Sequence, residues 1–171
     1  ACIAELASRG IPHHGSPRIG AMVELPAAVV GIEELAEATD FLSIGTNDLI
    51  MYLLAVDRTN ERLGELYRSH HPVVVRTIAE IARRVGTKID SLSVCGEAAA
   101  DPAMIPFFVG IGIRKLSVSP RLIPRVRDIL SRYTHASAAE FAEEMLRIRS
   151  LREMDRFLTS YEQPIALQGT V

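Results

Sequence analysis

The feature that most narrows the possible folds is a recurring layout: a short apolar run, a Gly or polar turn, then a stretch with helical spacing. It is plainest at Leu42-Ser43-Ile44-Gly45-Thr46-Asn47-Asp48-Leu49. Residues 41–44 are β-compatible and too short for a helix, residues 45–48 have turn and N-cap chemistry, and residues 49–56 are apolar and helix-compatible. Asn47 and Asp48 are therefore expected at the carboxyl end of a strand, where parallel α/β folds do their chemistry. Such residues often only cap the next helix and complement its dipole. A second run with the same layout favours a ligand site: residues 19–23 lead into Glu24, with Pro26 in a helix-starting position. Carboxylates presented in this way, Glu24 and Asp48, could share one hard divalent cation. Mg²⁺ suits the pattern, because it takes one or two protein carboxylates and fills its other positions with water and substrate oxygens.

The layout recurs along the chain without a sequence repeat. Residues 1–8 resemble the tail of a helix and residues 10–18 a loop, in which His13 and His14 point apart and have no third ligand nearby. One helix is expected over 26–39, with Val29, Ile32, Leu35 and Ala36 on its buried face. After a long charged connection over 57–69, which contains Asp57-Arg58-Thr59-Asn60, Pro72 opens a helix whose stripe is Val75, Ile78, Ala82 and Val85 and which Gly86 ends. Residues 91–95 read as a third strand, ending at Cys95. Asp101 and Pro102 are expected to start a helix, residues 115–118 to form a fourth strand, and a helix to begin near Pro124. Two capping boxes, Ser137 with Glu140 and Ser150 with Glu153, announce two final amphipathic helices before a loose tail over 163–171.

Four strands alternating with helices imply a parallel sheet with right-handed crossovers. A (β/α)₈ barrel needs roughly 250 residues, and about half that number precedes the final helices. A small open sheet or half a barrel fits this count, and in a half-barrel Ile19, Ala21, Val23, Ile44, Val94 and Val118 are candidates for an uncovered inward face.

Composition excludes several classes. The chain has 171 residues, a formal net charge of -2, and 48% hydrophobic and 23% charged residues, with no Lys/Arg cluster to hold a nucleic-acid backbone. The longest apolar run, residues 103–113, contains Pro106, Gly110 and Gly112 and cannot span a bilayer. Cys2 and Cys95 are far apart and form no metal-like spacing, so a reducing cytoplasm is the expected location.

The stretches Gly20-Ala21-Met22-Val23-Glu24-Leu25-Pro26, Ser43-Ile44-Gly45-Thr46-Asn47-Asp48-Leu49, Leu54-Ala55-Val56-Asp57-Arg58-Thr59-Asn60 and Cys95-Gly96-Glu97-Ala98-Ala99-Ala100-Asp101 resemble the C-terminal half of the PEP-binding barrel of the Enzyme I family. These are the phosphoenolpyruvate-protein phosphotransferases of the bacterial sugar phosphotransferase system. PEP synthase and pyruvate phosphate dikinase are similar around the Asn-Asp and Cys-Gly-Glu stretches. They carry different and longer sequence where this chain has Ala-Val-Asp-Arg-Thr-Asn.

The resemblance implies an α/β fold: about four β/α units of a PEP/pyruvate-type (β/α)₈ barrel over 1–134, followed by C-terminal helices and a tail over 135–171. It implies that Glu24 and Asp48 hold Mg²⁺, that Asn47, Asp48 and Arg58 bind substrate, and that Cys95 is the acid that protonates enolpyruvate. Glu97 is left without an assigned role. The implied partners are phosphoenolpyruvate and pyruvate, a His-containing phosphocarrier protein reached through an upstream domain, and a second copy in a homodimer. The phosphoryl-accepting His and the Arg and Lys residues of the first barrel half are expected outside this chain, which would then be inactive alone. Met51 stands where the family commonly has Gln. The remaining alternatives are a synthase- or dikinase-like barrel and a non-catalytic dimerisation module.

Overall fold

In a computed structural model, residues 2–57, 64 and 66–166 are described, with the side chains of 162–166 excepted. Three short parallel strands, β1 (Gly20–Val23), β2 (Phe41–Gly45) and β3 (Leu92–Cys95), form one sheet in the order β1-β2-β3. Their register places Val23 beside Ile44, Ile44 beside Val94, and Gly45 beside Cys95, so all three strands end at nearly the same level. In chain order the helices are α1 (Cys2–Ser8), α2 (Pro26–Val30), α3 (Ile32–Ala38), α4 (Thr46–Leu54), α5 (Pro72–Arg84), α6 (Met104–Gly110), α7 (Ile123–Ser131), α8 (His135–Arg147) and α9 (Leu151–Ala166).

The helices cover one face of the sheet. Val23, Leu42, Ile44, Leu92 and Val94 alternate onto that face and share a fully buried core with Ile32, Leu49, Ile78, Phe107 and Phe108. Each such side chain contributes roughly 1.5–3 kcal/mol relative to an exposed position. The opposite face carries Met22, Ser43, Ser93 and Cys95, and Met22 and Phe41 remain 48% and 40% exposed. This corrects the expected uncovered set: Val23, Ile44 and Val94 lie under the helices, Ala21 and Val118 pack against the core, and Ile19 alone of the six is exposed. Side chains alternate between faces with period two, so the wrong choice of face reverses every residue of a strand at once.

Other expectations change in detail. The helix over 26–39 is two helices, broken at Gly31, whose backbone (φ -94, ψ 32) leaves the helical region. The fourth strand shrinks to a single parallel bridge between Val94 and Leu116, made by Val94 N–H to Lys115 O (2.9 Å) and Ser117 N–H to Val94 O (2.8 Å). β3 stops one residue after Val94 and Gly96 turns the chain away, so no further ladder is available to Val118. The helix expected at Pro102 begins at Met104, after a turn in which Asp101 Oδ1 accepts from Ala103 N–H at 3.0 Å.

At the C-terminal end, the helix expected to be capped by Ser137 starts a turn earlier. Thr134 is its N-cap, and Ser137 at the third helical position returns the hydrogen bond. Ser150 accepts from Glu153 N–H at 3.3 Å, as its capping box requires, and α9 runs to Ala166, into the stretch expected as a loose tail. The terminal helices are joined to the rest by direct packing. A Cβ built on Gly110 of α6 would lie 2.1 Å from the carbonyl oxygen of Ala138 in α8, so the two helix backbones touch. Phe141 of α8 then packs against Phe157 and Tyr161 of α9, with ring centroids at 5.3 and 4.6 Å.

Candidate active site

Three neighbouring strand ends converge at one edge of the sheet. β1 delivers Glu24, β2 runs through Gly45 directly into α4 with Asn47 and Asp48 in its first turn, and β3 ends in Cys95, the register partner of Gly45. Glycine suits the close approach of Glu24: a Cβ at position 45 would lie 3.0 Å from Glu24 Oε2 and 3.1 Å from Met22 Cγ, and those side chains would have to move by a few tenths of an ångström. With no side chain at position 45 the Glu24 carboxylate folds over the end of β2, beside the start of the helix that carries Asp48.

Glu24 and Asp48 are both half-buried, and neither carboxylate makes a hydrogen bond or ion pair with another described residue. Asp48 sits in the first turn of α4, where the helix dipole favours a carboxylate. Among the described residues no three His, Cys, Asp or Glu side chains gather as a complete metal cage. Two free carboxylates at a strand edge are nevertheless the donor set that Mg²⁺ takes when water and substrate oxygens complete its shell.

A latch fixes the end of β3 against the start of α4. Thr46, fully buried, donates from Oγ1 to the carbonyl oxygen of Cys95 at 2.7 Å, and Glu97 N–H donates to Asn47 Oδ1 at 2.8 Å. With Oδ1 committed, the Asn47 NH₂ group remains to donate to a ligand. Tyr67 supports the same residue from the other side, its hydroxyl donating to the Asn47 carbonyl at 3.0 Å. A cleft of about 180 Å³ bounded by Asn47, Tyr67, Arg68, Ser69 and Glu97 opens here. A second, of about 370 Å³, lies between Asn47, Gly96, Glu97, Ser117 and Ser119.

The structure therefore brings together Glu24, Asn47, Asp48 and Cys95, while Arg58 lies outside the described residues. Glu97 enters through its backbone N–H, and its exposed side chain borders both clefts. Thr46, Ser43 and Tyr67 were given no role from the sequence. Thr46 could have been, since a hydroxyl between an apolar strand and Asn47 at a buried turn needs a partner.

Residues 1–135 match the family model described as "PEP-utilising enzyme, PEP-binding domain". The chain belongs to this family of PEP-utilising enzymes, of which it carries the PEP-binding domain. Among curated relatives it is similar to the Escherichia coli (strain K12) protein named "Phosphoenolpyruvate-dependent phosphotransferase system", at 37% identity over 91% of this chain and 21% of that protein. It is also similar to the phosphoenolpyruvate-protein phosphotransferases of Borreliella burgdorferi, 38% identical over 90% of this chain and 27% of that protein, and of Geobacillus stearothermophilus, 35% identical over 90% and 26%. The chain thus spans only about a fifth to a quarter of the length of these relatives.

Proposed function

We propose that this chain forms the metal- and proton-handling part of the PEP site of a phosphoenolpyruvate-protein phosphotransferase of the Enzyme I type. In this reading residues 1–134 are the C-terminal half of a (β/α)₈ barrel, about four β/α units, and residues 135–171 are its C-terminal helices and tail. The observation that carries the proposal is the convergence of Glu24, Asn47, Asp48 and Cys95 at one edge of a parallel sheet, in a chain of a PEP-utilising family.

Glu24 and Asp48 are the residues that would hold Mg²⁺, which when bound offsets charge on the carboxylate and phosphate of PEP. Asn47 donates through its NH₂ group to a phosphate oxygen. Arg58 supplies a planar fork to the same phosphate, a geometry that Lys cannot reproduce. The phosphoryl group passes to a His on a separate domain and then to a His-containing carrier protein. Cys95 next gives its S–H proton to the methylene carbon of the enolate of pyruvate that phosphoryl transfer leaves: the S–H bond breaks with its electron pair left on sulfur as thiolate, a C–H bond forms, and the enolate oxygen becomes the carbonyl of pyruvate. A thiol suits this step because its ordinary pKa, about 8.5, lets it donate and accept near neutrality. A cytoplasmic location, in which both free thiols stay reduced, and a homodimer complete the proposal. No described helix is long and apolar enough to cross a membrane.

The test is to replace the matching segment of the Escherichia coli relative with this chain and assay the joined protein. Glu24→Ala and Asp48→Ala should each lower PEP-dependent phosphorylation by a factor on the order of 10² or more, with the fold retained. Cys95→Ser should keep phosphoryl exchange and lose proton exchange at the pyruvate methyl. Undiminished turnover in Glu24→Ala removes that residue from the site, and equal loss of both exchanges in Cys95→Ser makes the thiol structural.

A further inference from the structure

We infer that Ser43 is a positioning residue for the proton transfer assigned above to Cys95, an inference that rests on that assignment. Ser43 pairs with Ser93 and Gly45 with Cys95, so the hydroxyl and the thiol project from adjacent strands on the sheet face that the helices leave uncovered. Ser43 Oγ lies 3.5 Å from Cys95 Sγ. The sulfur is also 3.5 Å from the Ile44 carbonyl oxygen and 3.7 Å from Met22 Sδ.

These neighbours serve different protonation states. A carbonyl oxygen or thioether only accepts, so Ile44 and Met22 can hold the S–H proton of the thiol. A hydroxyl also donates, so Ser43 can turn its O–H to the sulfur once the proton has left for carbon, and a hydrogen bond to the ionised group is the stronger kind. With no cation bound, other groups at these strand ends oppose that charge: Glu24 after β1, Asp48 in α4 and Glu97 after β3 are acidic. Among the described residues no Lys, Arg or His side chain is bonded to the sulfur. Ser43 is then the donor that supports the thiolate until solvent returns the proton, and it also holds the sulfur at the level of the strand ends. The bland role for Ser43, a small polar residue on a half-exposed face, leaves the thiol's ionisation untouched when the hydroxyl is removed.

The experiment uses the full chain with exposed Cys2 changed to Ser, so that Cys95 is the one thiol. Its alkylation by iodoacetamide is followed as a function of pH. Ser43→Ala and the strand-compatible Ser43→Val should each raise the apparent pKa of Cys95 by about one unit, a tenfold loss of thiolate at a fixed pH below it, and Ser43→Thr should restore the wild-type profile. In the joined protein, Ser43→Ala should lower proton exchange at the pyruvate methyl about tenfold more than it lowers phosphoryl exchange. An unmoved profile in both Ala and Val variants overturns the inference. Normal methyl exchange in Cys95→Ser overturns the assignment to Cys95, and the inference with it, whatever the Ser43 titration shows, so the two failures are read from different variants.

Discussion

At the residue scale, Gly96 is a position with little freedom to change. Its φ of 89° lies in the region that side chains disfavour, and a Cβ there would sit 2.4 Å from Thr46 Oγ1 and 2.8 Å from Asn47 Oδ1. Those are the two atoms of the latch that ties Cys95 and Glu97 to the start of α4. Gly96→Ala should therefore both strain the backbone and displace a hydrogen-bond partner, a combined cost of about 2–4 kcal/mol. Urea unfolding followed by circular dichroism reads this as a lower midpoint with an unchanged slope, and a midpoint equal to wild type would show that the turn relaxes around the methyl group. The Cys-Gly-Glu run marks this turn in the sequence, but the reason for its glycine does not appear there. Thr46 and Asn47 are some fifty residues away along the chain, and only the register of β2 against β3 brings them to it.

At the element scale, the caps are the most legible parts and also the most easily misplaced by a turn. His71 caps α5 by accepting from Val73 N–H through Nδ1 at 3.2 Å, with Pro72 at the first helical position. Burial, and secondarily the neighbouring His70, hold its imidazole below the ordinary pKa. The folded protein thus binds fewer protons here than the unfolded chain. This contribution to stability is fully present above about pH 6.5 and is lost as pH falls through the lowered folded-state value. Protonation also removes the lone pair that accepts from Val73 N–H. His71→Asn keeps a capping acceptor that does not titrate, so the wild type should lose more stability than this variant between neutral and mildly acidic pH. Parallel loss in the two would remove the cap from the pH response. Other boundaries were less legible because local pattern leaves a choice: Ser137 and Thr134 are both plausible caps, and a single Gly31 can sit inside a helix or break one.

At the scale of the whole molecule, the described helices cover one sheet face and leave the other open. Met22 and Phe41 are exposed on it, and Ile19, just before β1, is 67% exposed. Burying several hundred Å² of such surface is worth on the order of 10 kcal/mol, comparable to a domain's net stability. The 171-residue chain by itself should therefore sediment as more than one copy, and Met22→Lys with Phe41→Lys should shift it toward one. Sedimentation equilibrium with a parallel PEP-to-pyruvate assay decides the point. A well-folded monomer that turns over PEP would overturn the half-barrel reading. What the sequence determined by itself is what local chemistry can encode: the parallel α/β alternation, the strand ends at Glu24, Asn47–Asp48 and Cys95, and the apolar stripe of α5. Each rests on period, turn residues and capping within a dozen positions. The tertiary structure alone decided which face of each strand the helices cover, that the fourth strand is a single bridge, and that Thr46, Asn47 and Ser43 grip the Cys95 turn. Those outcomes depend on register and packing between segments distant in the chain, which no local pattern specifies.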